Sequence, residues 1–107
     1  MAEPSFTPTA KMASAARRGL RLREKFGRGG TEVGVKRAHQ LADRASLSGE
    51  DVKSMHSYFA RHEVDKETHS GKWNSDHDPS AGFIAWLLWG GEAGKAWADK
   101  KAKSLSG

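Results

Sequence analysis

The 107-residue chain contains no cysteine, which excludes a disulfide framework and a thiolate metal site. It holds only three prolines, and two of them, Pro4 and Pro8, fall in the first nine residues, which read as an extended, flexible arm. No apolar run approaches the roughly 20 residues of a membrane span. Met1 to Thr9 lacks the charged-then-apolar order of a signal peptide. Sustained period-2 alternation is also missing, so no segment is a candidate strand. The hydrophobic fraction, 36%, is low for a globular domain and the charged fraction, 29%, somewhat high. Four Trp and four Phe offset that deficit, because each buries far more area than an aliphatic residue. At this length the chain is one domain with a modest core.

What the chain does have is concentrated positive charge. Seven of its 18 Lys and Arg residues lie between positions 11 and 28: Lys11, Arg17, Arg18, Arg21, Arg23, Lys25 and Arg28. Glu24 alone opposes them, so this stretch carries 7 − 1 = +6 against +5 for the whole chain. It runs into Gly27-Arg28-Gly29-Gly30. A cationic helix ending in glycine-rich backbone suits phosphate or an acidic protein face.

Helical periodicity begins at Ala10, with Met12, Ala16 and Leu20 at i, i+4, i+8 and Ala15, Gly19, Leu22 and Phe26 widening that side. Gly27 to Gly30 end this helix. Thr31 caps a second one, with Glu32 in its first turn and Val35, Ala38, Leu41, Ala42 and Ala45 in phase. Ser48 caps a third, with Asp51 completing a shortened capping box and Leu47 and Val52 as a hydrophobic staple. Val52, Met55, Phe59 and His62 follow. Residues 65–78 form a long polar loop, and Trp73 is its one large apolar side chain. Asp78-Pro79 reads as the N-cap and first residue of a fourth helix. Its apolar surface, from Phe83, Ile84, Trp86, Leu87, Leu88 and Trp89, extends nearly all round, which predicts a central position. Gly90-Gly91 breaks it, and Glu92 to about Lys103 forms a fifth, amphipathic helix.

The expectation is therefore an all-α, compact bundle of about five helices spanning residues 10–105 as a single domain. Residues 31–45 and 48–63, joined by Ser46-Leu47, resemble a helix-turn-helix in lengths and turn. Its second helix would present Glu50, Lys53, Ser54, Ser57, Arg61 and His62. Glu50 and Asp51 at the leading end would repel groove phosphates, so an ordinary helical corner is the stronger reading.

Catalysis and metal binding have little to stand on. Position 66 is Lys where the zinc-protease motif beginning at His62-Glu63 needs a second His. Asp76-His77-Asp78 offers at most a weak set, and His56 and His69 lie elsewhere. Gly-Arg-Gly-Gly lacks the Gly-Lys-Ser/Thr ending of a phosphate-binding P-loop, although its backbone N–H groups can approach a phosphate. No Ser/His/acid triad and no isolated carboxylate pair can be placed. The expected function is thus binding, with no enzyme activity, no cofactor and no metal. Trp86, Trp89 and Trp97 are expected in the core rather than stacked on bases.

Three ordered strings, FGRGGTEVGV (26–35), YFARHEVDK (58–66) and PSAGFIAWLLWGG (79–91), resemble a small uncharacterised helical module of tailed bacteriophages, including marine and cyanobacterial ones. The resemblance covers roughly residues 10–99. In such modules the position of Phe83 is often Arg and that of Asp78 often aromatic, which implies different packing before Pro79 here. The module transfers no catalytic assignment; it implies a phage origin, in the host cytoplasm during infection or in the virion. Together the readings point to a nucleic-acid (DNA) binding protein. The contact residues are Lys11, Arg17, Arg18, Arg21, Arg23, Lys25 and Arg28, with Lys53, Ser57 and Arg61 as a secondary set. The alternative is an acidic phage or host protein bound by the same face, and no membrane partner is expected.

Overall fold

The computed structural model describes residues 6–63, 77 and 79–106, of Ser106 the backbone only. Five helices lie within them: α1 Ala10–Phe26, α2 Glu32–Ala42, α3 Gly49–His62, α4 Ala81–Leu88 and α5 Gly91–Ser106. There is no strand among the described residues, only an isolated antiparallel bridge between Phe6 and Leu47. No helix among them is long and apolar enough to cross a membrane.

The first four helices each start where a side chain takes over an orphan backbone donor. The Thr9 hydroxyl accepts from the Met12 N–H at 3.2 Å, and the Met12 sulfur returns a contact to the Thr9 N–H at 3.4 Å. Thr31 accepts from Gly34 at 3.2 Å. At α3 both arms of the box form: Asp51 N–H to Ser48 Oγ at 3.1 Å and Ser48 N–H to Asp51 Oδ2 at 3.0 Å. The short aspartate therefore closes the reciprocal bond fully, and Leu47 and Val52 beside it are both buried.

Several boundaries differ from expectation. α2 stops at Ala42, short of Ala45, because Arg44 turns left-handed at φ 52° and its Nε donates to Pro8 O at 2.8 Å. α4 is capped by Ser80, whose hydroxyl accepts from Phe83 N–H at 3.1 Å. Pro79 sits before that cap rather than inside the helix, buried, with its carbonyl accepting from Arg28. The predicted cap, Asp78, lies outside the described residues. α5 begins at Gly91, one residue early, and runs to Ser106.

α4 is the centre. Phe83, Ile84, Trp86, Leu87, Leu88 and Trp89 are all buried, because an eight-residue helix this apolar has no face that prefers water. α1 packs on α2 and α4, and α3 packs mainly on α5. Aromatic contacts join the halves: Tyr58 stacks on Trp89 at 4.5 Å and Phe59 meets the Trp86 ring edge-on at 4.8 Å. Gly19 permits the α1–α4 approach, since a Cβ there would lie 2.9 Å from Leu87 Cβ.

α2 and α3 do not pack on each other as a helix-turn-helix unit, the weaker of the two expectations for residues 31–63. α2 and α3 have separate principal partners, and the residues between them are spent elsewhere. Leu47 exchanges two backbone bonds with Phe6, at 2.9 and 2.8 Å, which stretches the connection across the N-terminal arm. Residues 6–9 of that arm are accordingly held: Pro8 is fully buried, and Phe6 meets the Trp97 ring edge-on.

Candidate nucleic-acid interface

At 100° per residue, the buried positions of α1 (Met12, Ala13, Ala16, Gly19, Leu22) take one side of the helix. Ser14, Arg17, Arg21 and Lys25 fall on the opposite side and are all exposed, while Lys11, also exposed, projects at its edge next to Leu22. From Ser14 to Lys25 this stripe runs about 17 Å along the axis. Arg18 lies at its margin, half-buried, with its guanidinium 5.1 Å from the centre of the Phe83 ring. Arg23 leaves the stripe and turns toward the loop after α1.

Three arginines of this region donate to backbone carbonyls. Arg17 Nη2 donates to Ala42 O at 2.9 Å, at the C-terminal end of α2, where unpaired carbonyls carry partial negative charge. Arg23 Nε donates to Gly29 O at 3.0 Å and Arg28 Nη1 to Pro79 O at 3.2 Å. Lys25 and Arg28 lie over the Phe26 ring at 5.4 and 5.6 Å. No carboxylate of a described residue pairs with Lys11, Arg17, Arg21, Arg23 or Lys25. The Arg17 and Arg23 anchors orient those two guanidinium groups with no acid of a described residue paired with them.

The glycines of the following loop serve packing first. A Cβ on Gly29 would lie 2.6 Å from Ile84 Cβ, and one on Gly30 would lie 2.4 Å from Leu88 Cδ1. Both also have φ far into the positive range, 94° and 78°. The loop is thus wedged on α4.

Lys53, Ser57 and Arg61 are exposed on the outer side of α3, which they share with the acid Glu50. They lie on a different element from the α1 stripe, and α3 does not pack face to face with α1. Arg61 lines a groove of about 500 Å3 with Gly30, Val33, Tyr58, His62 and Trp89. His62 is half-buried, its ring 4.5 Å from that of Tyr58. α3 ends at His62, and the Glu63 N–H that follows donates to Phe59 O at 3.0 Å. Trp86 and Trp89 are core and Trp97 packs against it, whereas Trp73 lies outside the described residues. Among the described residues no group of three His, Asp or Glu is placed to hold a metal ion.

One residue was not singled out from the sequence. Arg37 is buried, bonds Gln40 Oε1 at 2.9 Å, pairs with Asp51 at 3.1 Å and lies 5.5 Å from the Trp89 ring centre. Its position was readable: Gly34, Arg37, Ala38 and Leu41 follow i, i+3, i+4, i+7, so Arg37 falls inside the apolar arc of α2. Burial alone would raise the Asp51 carboxyl, but the Ser48 N–H, the Arg37 guanidinium and the Ser48 hydroxyl outweigh it and hold the group below the ordinary carboxylate value.

Elsewhere cations meet acids. Asp99 takes His56 Nδ1 at 2.8 Å and Lys95 Nζ at 3.0 Å, and Lys95 also approaches Glu63 at 3.8 Å. Burial opposes ionisation of Asp99, yet the Lys95 and His56 bonds lower it overall, and the Asp99 bond raises Lys95. This cluster ties α3 to α5.

The fold and this surface define a small all-α protein with one cationic helix face. The chain matches no known family model, and no curated protein or solved structure is similar to it.

Proposed function

We propose that the protein binds nucleic acid, DNA in the first instance, through the outer face of α1, by sequence-independent contacts to phosphate. The observation that carries this reading is the choice of acceptor: Arg17 and Arg23 are steadied by carbonyl oxygens, and no carboxylate of a described residue pairs with Lys11, Arg17, Arg21, Arg23 or Lys25. Arg17, Arg21 and Lys25, spaced four residues apart, form the centre of the contact, with Lys11 and Arg18 flanking it. The surface also argues against a stable protein partner. Val33 is the one exposed large hydrophobic among the described residues, whereas protein interfaces need buried apolar or aromatic anchors. Likeness of the three sequence strings to a tailed-phage module supports a role during infection, inside the host cell.

The test is a titration of the protein with a random-sequence duplex at two salt concentrations. Four to six phosphate contacts give a slope of log affinity against log salt of about −4 to −5. A slope near zero, or no binding at low salt, rejects the reading and leaves an acidic protein as the partner to seek.

A further inference from the structure

One side of α3 opens on a groove that the α1 reading does not use. Tyr58, Arg61 and His62, at i, i+3 and i+4, line it against Val33 of α2, Ala85 of α4 and Trp89, and it holds about 500 Å3. That is the size of a small-molecule site. Val33, 61% exposed, is the one large hydrophobic that the described residues leave to solvent, and it stands on this groove. The aromatic rings here are engaged with one another. Tyr58 lies 4.5 Å from both the Trp89 and the His62 rings, and the Arg37 guanidinium lies 5.5 Å from the Trp89 ring centre. A ligand in the groove therefore meets aliphatic groups and ring edges rather than open Tyr or Trp faces, which disfavours a stacked nucleobase.

The charge of the groove has one sign. No Asp or Glu among the described residues lines it. Arg61 is exposed at its edge and pairs with no carboxylate of a described residue. Trp89 is buried, yet its indole N–H has no acceptor among the described residues and its nitrogen is not sealed from solvent. Aromatic edges, and the N-terminal turn of α4 that forms one wall, add partial positive charge.

We propose that this groove binds a small monocarboxylate with an aliphatic body. Arg61 offers its guanidinium fork to the two carboxylate oxygens, and Val33 and Ala85 cover the aliphatic chain. A single guanidinium matches a single negative charge. Phosphate brings more charge and more oxygens than these apolar walls can answer. The site is separate from the α1 stripe and does not rest on the nucleic-acid reading.

The experiment is a 1H–15N titration of the whole protein at neutral pH and constant ionic strength, read at the Trp89 indole N–H and the Val33 and Ala85 amides. The probes are octanoate below its micelle concentration, octanol, acetate and inorganic phosphate. Octanoate shifts these signals saturably. Octanol and acetate each carry half of the required chemistry and bind at least about tenfold more weakly, and phosphate leaves the signals in place. Arg61→Gln, judged at unchanged melting temperature, weakens octanoate about tenfold and leaves octanol as it was, while Arg61→Lys recovers part of the loss. Val33→Ser weakens octanoate and octanol alike, by about threefold. The proposal is overturned if acetate, phosphate or octanol binds as well as octanoate, or if Arg61→Gln binds octanoate as wild type does. A peptide ending in a free leucine that shifts the signals where octanoate does not also overturns it, because the carboxylate then belongs to a polypeptide. Replacing Arg17, Arg21 and Lys25 by Gln leaves octanoate binding unchanged, so this site and the α1 stripe fail or stand separately.

Discussion

On the side built from α1, α2 and α4, Arg17 and Arg23 reach the carbonyls of Ala42 and Gly29. On the side built from α3 and α5, Lys95 reaches the carboxylate of Asp99, which also bonds the His56 ring. The two sides use positive charge for opposite ends. A carbonyl orients a guanidinium and leaves its full charge to the solvent, so the helix surface keeps a field that a polyanion can feel. A carboxylate cancels the charge it binds, and the pair becomes a local clasp between two helices. Arg37 shows the second use carried inward: buried against Trp89, it answers Asp51 and fastens α2 to α3. The difference lies in the acceptor and hardly at all in the cation.

The largest effect should come from removing charge on one side and not the other. Arg17→Gln, Arg21→Gln and Lys25→Gln together should lower duplex affinity about a hundredfold at low salt and flatten the salt slope by about 2.7. Lys100→Gln, Lys101→Gln and Lys103→Gln on α5 remove the same formal charge and should cost less than about threefold. Fluorescence anisotropy with one labelled duplex measures both. Equal losses would mean that affinity follows net charge and that the α1 face has no special standing. A smaller effect separates packing from backbone in the loop that ends the cationic helix. Gly30→Ala drives a methyl against Leu88 and should cost about 2 kcal/mol. Gly27→Ala meets nothing within 4 Å but keeps a φ of 63°, so it should cost about 1 kcal/mol from the left-handed backbone alone. Urea midpoints that fail to separate the two would show that Leu88 simply moves aside.

Local rules carried much of the fold. Ser48-Gly49-Glu50-Asp51 announced α3 because a cap and its reciprocal acid are three residues apart and need no tertiary partner. The apolar circumference of Phe83 to Trp89 announced a buried helix for the same reason. The α1 stripe was legible from its period, and so was the departure of Arg23 from it. What stayed hidden depends on residues far apart in the chain. Nothing in Ser46-Leu47 reveals that Phe6 will pair with Leu47 and tie the connection between α2 and α3 to the N-terminal arm. Asp78 and Ser80 compete as caps two positions apart; the choice of Ser80 goes with Pro79 turning its carbonyl to Arg28, 51 residues away in sequence. The carbonyl partners of Arg17 and Arg23 have no side-chain signature at all, so a charge run and a set of oriented guanidinium groups look identical on paper.

The clasp between α3 and α5 supplies the last and smallest test. Asp99 has its carboxyl lowered in the folded protein. The stability it contributes is therefore present above the ordinary carboxylate value and lost as pH falls through the lowered one, below about pH 4. Lys95 is raised, so its contribution holds at neutral pH and fades only as the solution becomes strongly alkaline. Asp99 is well exposed, with 41% of its side chain accessible, and solvent screening keeps the effect under about 1 kcal/mol. Asp99→Asn should lower the urea midpoint slightly at pH 7, and the gap from wild type should close as the pH is brought below 4. A gap that stays constant across that range would mean that Asp99 works by packing, and the contrast between cancelled charge on this side and retained charge on α1 would lose its clearest example.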